Sequence, residues 1–196
     1  MSRQHARLAA LALSGLALLL PACATRQAAE PEPPRMMGYE EFVAYASAPG
    51  VLFGGQPSPE ALDCFKNTGG TLVVNLRTDK ELAFYPYYDM ARDAQGFQYA
   101  HIQCSGSTMG LAEYQAFKSA YEAASAEGTP QVLLHCASGG RAKTMWAIHE
   151  QETLGLSREE ILANAAARGQ DSENAQAFVA SVLDRVAAER EAGGSS

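Results

Sequence analysis

The chain has 196 residues, of which 47% are hydrophobic and 19% are charged. This length suits one globular domain, and the hydrophobic content is too high for a disordered chain. Asp and Glu outnumber Lys and Arg by 22 to 15, which gives a net charge of −7. Because the chain is acidic and has no basic cluster, we expect no nucleic-acid partner. The cysteines and histidines lack metal-ligand spacing, so we expect neither a metal site nor a cofactor.

Residues 1–22 have the pattern of a bacterial secretion signal. Two arginines precede an uncharged apolar run over residues 8–20, which is shorter than a membrane-spanning helix. The sequence LPAC at residues 20–23 resembles the lipobox of bacterial lipoproteins. The resemblance implies cleavage before Cys23 and a lipid on Cys23. It also implies an envelope location, and Ala24 after the cysteine implies the outer membrane, facing the periplasm. The alternative is an ordinary secretion signal in which Cys23 is incidental.

The remainder of the chain divides into three parts. Residues 23–37 hold the lipidated cysteine and a tether rich in Pro, Ala and Glu, which cannot bury a core. The folded domain is predicted over residues 38–190, and residues 191–196 are predicted to be a flexible tail.

Strands and helices alternate along this domain. Short apolar runs predict strands at residues 51–53, 71–76, 97–102 and 131–135. Helical spacing and capping residues predict helices at residues 39–47, 59–66, 89–95, 111–127, 140–154, 158–167 and 173–190. The alternation predicts an α/β fold in a single domain, with a small, mainly parallel sheet flanked by helices. Ligands of such sheets bind beyond the carboxyl ends of the strands.

The segment most able to perform chemistry follows the strand at residues 131–135 and reads His135-Cys136-Ala137-Ser138-Gly139-Gly140-Arg141. A helix N-terminus and free main-chain N–H groups beside the cysteine favour its thiolate. The two glycines permit a tight loop whose N–H groups cradle an anion, and the small Ala137 and Ser138 keep the cradle open. Arg141 offers a planar fork to two anion oxygens. We expect His135 to orient the loop and Ser138 to hydrogen-bond the sulfur or the anion. The alternative for the whole segment is that Cys136 is an inert, buried cysteine in a tight turn between strand and helix.

The segment VLLHCASGGRAKTMWAI resembles the phosphate-binding loop of cysteine-dependent protein-tyrosine and dual-specificity phosphatases. It is most similar to the bacterial beta-lactamase-hydrolase-like phosphatase family. Three upstream segments are similar to the same family, namely GGQPSPEAL, VVNLRTDKE and YAHI. The resemblance implies a dual-specificity-phosphatase-like fold and a phosphorylated small molecule or phosphoprotein as substrate. It also implies that Cys136 is the nucleophile and that Arg141 and residues 137–140 hold the phosphate.

The sequence departs from ordinary cysteine-dependent phosphatases in three ways. Four residues separate Cys136 from Arg141, where ordinary phosphatases have five, and this shorter spacing is similar to that of rhodanese sulfurtransferases. Ala142 stands where a hydroxyl residue often follows the arginine. The loop at residues 103–110 has no carboxylate, so the candidate general acids are Glu113 and Asp89.

Asn75 and Arg77 end a strand at the expected active-site edge and are candidate supporting residues. Arg77 either adds charge for an anionic substrate or pairs with Glu81 or Asp79 to brace the loop, and we favour the bracing role.

The remaining cysteines leave the redox state open. Cys104 is expected near Cys136, and a disulfide between them would either protect the thiolate from over-oxidation or switch it off. The alternatives are a Cys64–Cys104 bond or no bond at all.

The sequence as a whole favours hydrolysis of phosphate esters through a phosphocysteine on Cys136. One alternative is sulfur transfer through a persulfide on Cys136, which needs no general acid. The other is a non-catalytic module that binds phosphate or sulfate.

Overall fold

The sheet has five strands in the described part of the chain, and four of them are parallel. In a computed structural model, which describes residues 42–83, 97–126 and 128–194, the strand order is β1-β2-β5-β3-β4. Strand β1 is antiparallel to β2, and every other neighbouring pair is parallel. The strands are β1 (Val43–Ala44), β2 (Val51–Gly54), β3 (Leu72–Asn75), β4 (Gln98–His101) and β5 (Val132–His135). The predicted mainly parallel α/β sheet is therefore confirmed.

Six helices lie in the described ranges. They are α1 (Pro59–Asn67), α2 (Asp79–Leu82), α3 (Leu111–Ser125), α4 (Gly140–Glu152), α5 (Arg158–Ala167) and α6 (Glu173–Gly193). The N-terminal signals read from the sequence are confirmed, since the Ser58 and Ser157 side chains cap α1 and α5. Helix α6 extends three residues beyond its predicted end.

The helix predicted at residues 39–47 is wrong over its described part. Val43 and Ala44 instead pair with Phe53 and Leu52 as an edge strand. Phe42 packs so closely on Gly54 that a Cβ there would lie 1.8 Å from the phenylalanine ring. The apolar residues whose spacing indicated a helix therefore have other roles: Val43 pairs with β2, and Phe42 covers the sheet. The helix predicted at residues 89–95 lies outside the described residues, as do the predicted secretion signal, Cys23 and tether.

The sheet is buried on both faces, which explains its continuous apolar strands. Because successive side chains point to opposite faces, each strand contributes to two separate clusters. One face carries Leu52, Val73 and Leu133 under α1. The other carries Phe53, Val74, Leu134 and their neighbours under α3, α4, α5 and α6.

The three central strands end in register. Gly54 and Asn75 both pair with His135, the last residue of β5. The residues that follow therefore meet at one edge of the sheet, the carboxyl edge. No helix among the described residues is long and apolar enough to cross a membrane.

A buried ion pair joins the two helices that follow β5. The carboxylate of Glu150 on α4 accepts bonds of 2.6 and 2.8 Å from Arg168, which follows α5, and both side chains are fully buried. Arg168 also donates to Ser47, and its carbonyl accepts from Tyr45, so the pair ties the amino-terminal segment to the helices.

We expect Glu150→Gln to lower the free energy of unfolding by about 3–5 kcal/mol, because the variant leaves the Arg168 charge buried without a counterion. Urea unfolding measures this loss. The control is Arg158→Gln, which breaks an exposed ion pair with Asp184 and should cost less than about 1 kcal/mol. Equal losses of unfolding free energy in the two variants would contradict the stabilising role of the buried Glu150–Arg168 pair.

Candidate active site

The loop from Cys136 to Arg141, called the anion loop below, lies at the carboxyl edge of the sheet and is held by the end of β2. The Cys136 N–H donates to the Gly54 carbonyl at 3.3 Å, and the Gln56 N–H donates to the Ala137 carbonyl at 3.3 Å. Gly55 and Ser138 form an isolated antiparallel bridge between these contacts. The first half of the anion loop is thus fixed by main-chain bonds.

The Cys136 sulfur lies inside the anion loop. It accepts the Gly139 N–H at 3.1 Å, and the residue is 1% exposed. Helix α4 starts one residue later, at Gly140. The sulfur therefore lies against a main-chain donor immediately before the start of α4.

Gly139 makes the tight loop possible. Its φ of +87° is a left-handed conformation that side chains disfavour. A Cβ at this position would also lie 3.4 Å from the main chain of Gly54. That distance is an ordinary contact, so it is the left-handed backbone angle that favours glycine where the loop turns into α4.

Arg141 is bound end-on by a carboxylate. Its two terminal nitrogens contact Glu81 at 2.5 and 2.9 Å, and Nη1 also donates to the carbonyls of Cys104 at 2.7 Å and Leu76 at 3.2 Å. The hydrogen bonds from Arg141, followed by those from Thr78, hold the pKa of Glu81 at about 2, against a usual 4.5. Glu81 is therefore ionised at neutral pH and orients the arginine.

Sequence reasoning missed this role of Glu81. It expected Glu81 or Asp79 to pair with Arg77, whereas the Glu81 carboxylate pairs with Arg141, sixty residues away. The available signal was the pattern Thr78-x-x-Glu81, a capping box that the structure confirms at the start of α2. A capping box directly after β3 places its glutamate at the carboxyl edge.

Arg77 is a buried brace. Its Nη1 donates to the Gln56 side chain and its Nη2 donates to the Glu81 carbonyl at 2.6 Å. Gln56 in turn donates its N–H to the anion loop, as described above. Arg77 thus has the bracing role that the sequence favoured, with different partners.

Asn75 fixes the start of the same segment. Its side-chain oxygen accepts the Arg77 N–H at 3.0 Å, and its side-chain nitrogen donates to the Tyr99 hydroxyl at 3.1 Å. The Arg77 carbonyl lies 2.7 Å from Nε2 of His101. These bonds hold β3, β4 and the α2 segment together beside the anion loop.

His135 is fully buried under the anion loop. Burial lowers its pKa to about 3, while a hydrogen bond with the Cys136 backbone opposes this shift. The ring is therefore neutral at neutral pH. It can orient the loop, as expected, but brings no positive charge to the sulfur.

The three described cysteines, Cys64, Cys104 and Cys136, are free thiols. Burial raises the pKa of Cys104 to about 12, so this thiol is protonated at neutral pH. The protonated form is a poor attacking group in disulfide exchange. The redox pairing of these cysteines stays a prediction.

The loop at residues 103–110 faces Arg141 through its main chain. Its Ser105, Ser107 and Thr108 hydroxyls bond within the loop. Of the two candidate general acids, Glu113 accepts the Gly110 N–H at 3.0 Å and so caps α3, and Asp89 lies outside the described residues. Neither assignment as a general acid is tested, and both stay predictions.

Outside the anion loop, the described part of the chain has a cavity but no cluster of metal ligands. Within the described ranges, no group of three or more His, Cys, Asp or Glu side chains is arranged to hold a metal ion. A cavity of about 540 Å³ lies at the opposite edge of the sheet and is lined by residues including Thr71, Gln98 and Pro130. Because those residues precede or start strands, this cavity is remote from Cys136.

Solved structures share this architecture. TpbA of P. aeruginosa in complex with phosphotyrosine superposes with a TM-score of 0.57 at 16% identity, covering 80% of this chain and 93% of TpbA. The active form of Tk-PTP gives 0.55 at 23% identity, with 69% and 92% covered. A DUF442 protein from Shewanella putrefaciens, named as a candidate phosphatase, gives 0.55 at 20% identity, with 72% and 92% covered. The chain has a protein-tyrosine-phosphatase-like fold. The expected dual-specificity-phosphatase-like architecture is thereby confirmed.

The chain also matches two curated sequence relatives over part of its length. The chain is 33% identical over 124 residues to beta-lactamase hydrolase-like proteins from two strains of Xylella fastidiosa, covering 62% of this chain. It spans 28% of the length of those relatives. No family model matches the sequence.

We expect the Glu81–Arg141 pair to make stability depend on pH. Since Glu81 has a pKa of about 2 in the folded state and 4.5 as its usual value, the unfolded state takes up the proton first as pH falls. The stabilisation is complete above pH 4.5 and is lost between pH 4.5 and about 2. The free energy of unfolding, measured with urea at several pH values in this range, should rise less steeply with pH for Glu81→Gln than for the wild type. Identical pH dependence of the two unfolding free energies would contradict the ion pair.

Proposed function

We propose that this protein hydrolyses phosphate monoesters through a phosphocysteine on Cys136. The Cys136 thiolate forms a bond to phosphorus while the bond from phosphorus to the ester oxygen breaks, and the leaving oxygen takes a proton. Water then attacks phosphorus, which releases phosphate and returns the thiolate. The observation that carries the proposal is the Gly139 N–H on the sulfur inside a loop that ends at Arg141.

The orientation of Arg141 fits this chemistry. Glu81 occupies the end formed by the two terminal nitrogens, which leaves the edge with Nε for an anion. A guanidinium fixed in this way offers paired donors without losing side-chain entropy at the moment of binding. The phosphotyrosine bound to TpbA supports a phosphorylated substrate for a site on this fold.

The first alternative is sulfur transfer, favoured by the spacing of four residues between Cys136 and Arg141. A thiosulfate sulfur would bond to the Cys136 sulfur as the bond to sulfite breaks, giving a persulfide and free sulfite. The second alternative is a non-catalytic anion-binding module, which the missing carboxylate of residues 103–110 favours.

Covalent adducts distinguish these three functions. The reduced full chain is mixed with 4-nitrophenyl phosphate or with thiosulfate, quenched in acid and measured by intact mass. We expect a phosphoryl adduct from the ester that is absent in Cys136→Ser. The matched control is Cys64→Ser, which alters a half-buried thiol on α1 and should keep the adduct.

Other results would change the conclusion. A persulfide from thiosulfate, with no phosphoryl adduct, would establish the sulfur-transfer alternative. No adduct from either reagent, with Cys136 shown to be a free thiol, would favour the binding module.

We expect the rate of phosphoryl transfer to fall steeply as the leaving alcohol becomes more basic. General acid catalysis supplies roughly 10²–10⁴-fold, and the described residues of the 103–110 loop offer hydroxyls where a carboxylate would serve. Pre-steady-state bursts with 4-nitrophenyl phosphate, phenyl phosphate and an alkyl phosphate measure this dependence. A Glu113→Gln or Asp89→Asn variant that slows phenyl phosphate far more than the nitrophenyl ester would contradict the expectation by identifying a general acid.

A further inference from the structure

Helix α6 holds the loop at residues 103–110 through an arginine that lies outside the anion loop. Nη1 of Arg185 donates to three loop carbonyls, those of Gly106 at 3.2 Å, Ser107 at 3.0 Å and Met109 at 2.8 Å. A single cationic group thus satisfies three acceptors of one short loop. Hydrogen bonds to charged groups contribute more to stability than hydrogen bonds between neutral groups.

Glu189 complements Arg185 one helical turn later. Its carboxylate accepts the Leu111 N–H at 2.7 Å, at the start of α3. A Cβ at Gly110 would lie 2.6 Å from the same carboxylate, and one at Gly106 would lie 3.1 Å from the Phe178 ring. Residues four apart lie on the same helix face. This face of α6 therefore presents the Arg185 guanidinium to the loop carbonyls and the Glu189 carboxylate to the Leu111 N–H.

The other side of this loop contacts the anion loop. The Cys104 carbonyl accepts from Nη1 of Arg141 at 2.7 Å. The Cys104 N–H donates to the Leu76 carbonyl at 3.4 Å, and that carbonyl is a second acceptor for Arg141. The position of the 103–110 main chain therefore helps to set the plane of the Arg141 guanidinium.

We propose that Arg185 is a positioning residue for the anion site. It fixes residues 103–110 on α6, so that the Cys104 carbonyl and Glu81 together orient Arg141 before an anion arrives. This inference rests on the proposed function only in that the anion loop must bind phosphate. Because residues 103–110 are already held by α6, phosphate binds to a preformed site.

The test compares variants of the full chain. Arg185→Gln removes the charge, Arg185→Lys keeps an ammonium that can donate to several carbonyls, and Arg190→Gln is the matched control. Arg190 also lies on α6, and its exposed side chain makes an ion pair with Glu152 on α4 at 3.2 Å. The Kd of inorganic phosphate is measured by calorimetry at a temperature well below the Tm of every variant, with KM and kcat for 4-nitrophenyl phosphate alongside.

We expect Arg185→Gln to weaken phosphate binding and lower kcat/KM by about tenfold, since small displacements of a binding group cost factors of this order or more. Arg185→Lys should recover most of the loss, and Arg190→Gln should resemble the wild type. Wild-type phosphate affinity in Arg185→Gln, or an equal loss in Arg190→Gln, would overturn the inference.

The readouts separate this inference from the proposed function. A wild-type protein that binds phosphate without turnover removes the hydrolytic proposal, and the phosphate Kd of Arg185→Gln then decides the positioning role alone. A wild-type protein that binds no phosphate overturns the positioning role directly. Turnover in the wild type with unchanged KM, kcat and Kd in Arg185→Gln leaves hydrolysis standing and overturns only the positioning role.

Discussion

The ion pair between Arg141 and Glu81 is the interaction on which the geometry of this site depends. It joins the anion loop after β5 to the short helix after β3, and it occupies the end of the guanidinium formed by the two terminal nitrogens. The two side chains are 15% and 31% exposed, so solvent screens part of their attraction and the contribution of the pair to stability is modest. The value of the pair is orientation, because an unpaired arginine in the first turn of α4 would sample many rotamers.

The supports around that pair come from separate parts of the chain but converge on the same edge. Arg77 links Glu81 to Gln56, and Gln56 holds the anion loop. Gln170 donates at 3.0 Å to Thr144, whose hydroxyl donates to the Gly140 carbonyl at the start of α4. Each support acts on a main-chain group or a neighbouring side chain, so the loop is held by contacts from several elements.

The sequence was most informative where local chemistry decides structure. Helix α5 begins and ends as predicted because Ser157 and Glu160 form a capping box, and the buried strands follow from short apolar runs. The segment at residues 42–47 was mispredicted because the pairing of Val43 with Phe53 overrides helical spacing. Cys136 and Arg141 were identifiable because they are neighbours in sequence. Glu81 and Arg185 were not, since each acts on residues about sixty to eighty positions away.

In the proposed function, the spacing of four residues between Cys136 and Arg141 would change which donors meet the phosphate. Gly139, at φ +87°, directs its N–H at the sulfur, and α4 begins at the next residue, so Arg141 occupies the second position of the helix. A loop with one residue fewer has one main-chain N–H fewer for the oxygens. In the proposed function, more of the phosphate charge would then be met by Arg141, which contacts Glu81 and the Cys104 carbonyl. Phosphate affinity would then depend on contacts made outside the anion loop, on α2 and, by the inference above, on α6.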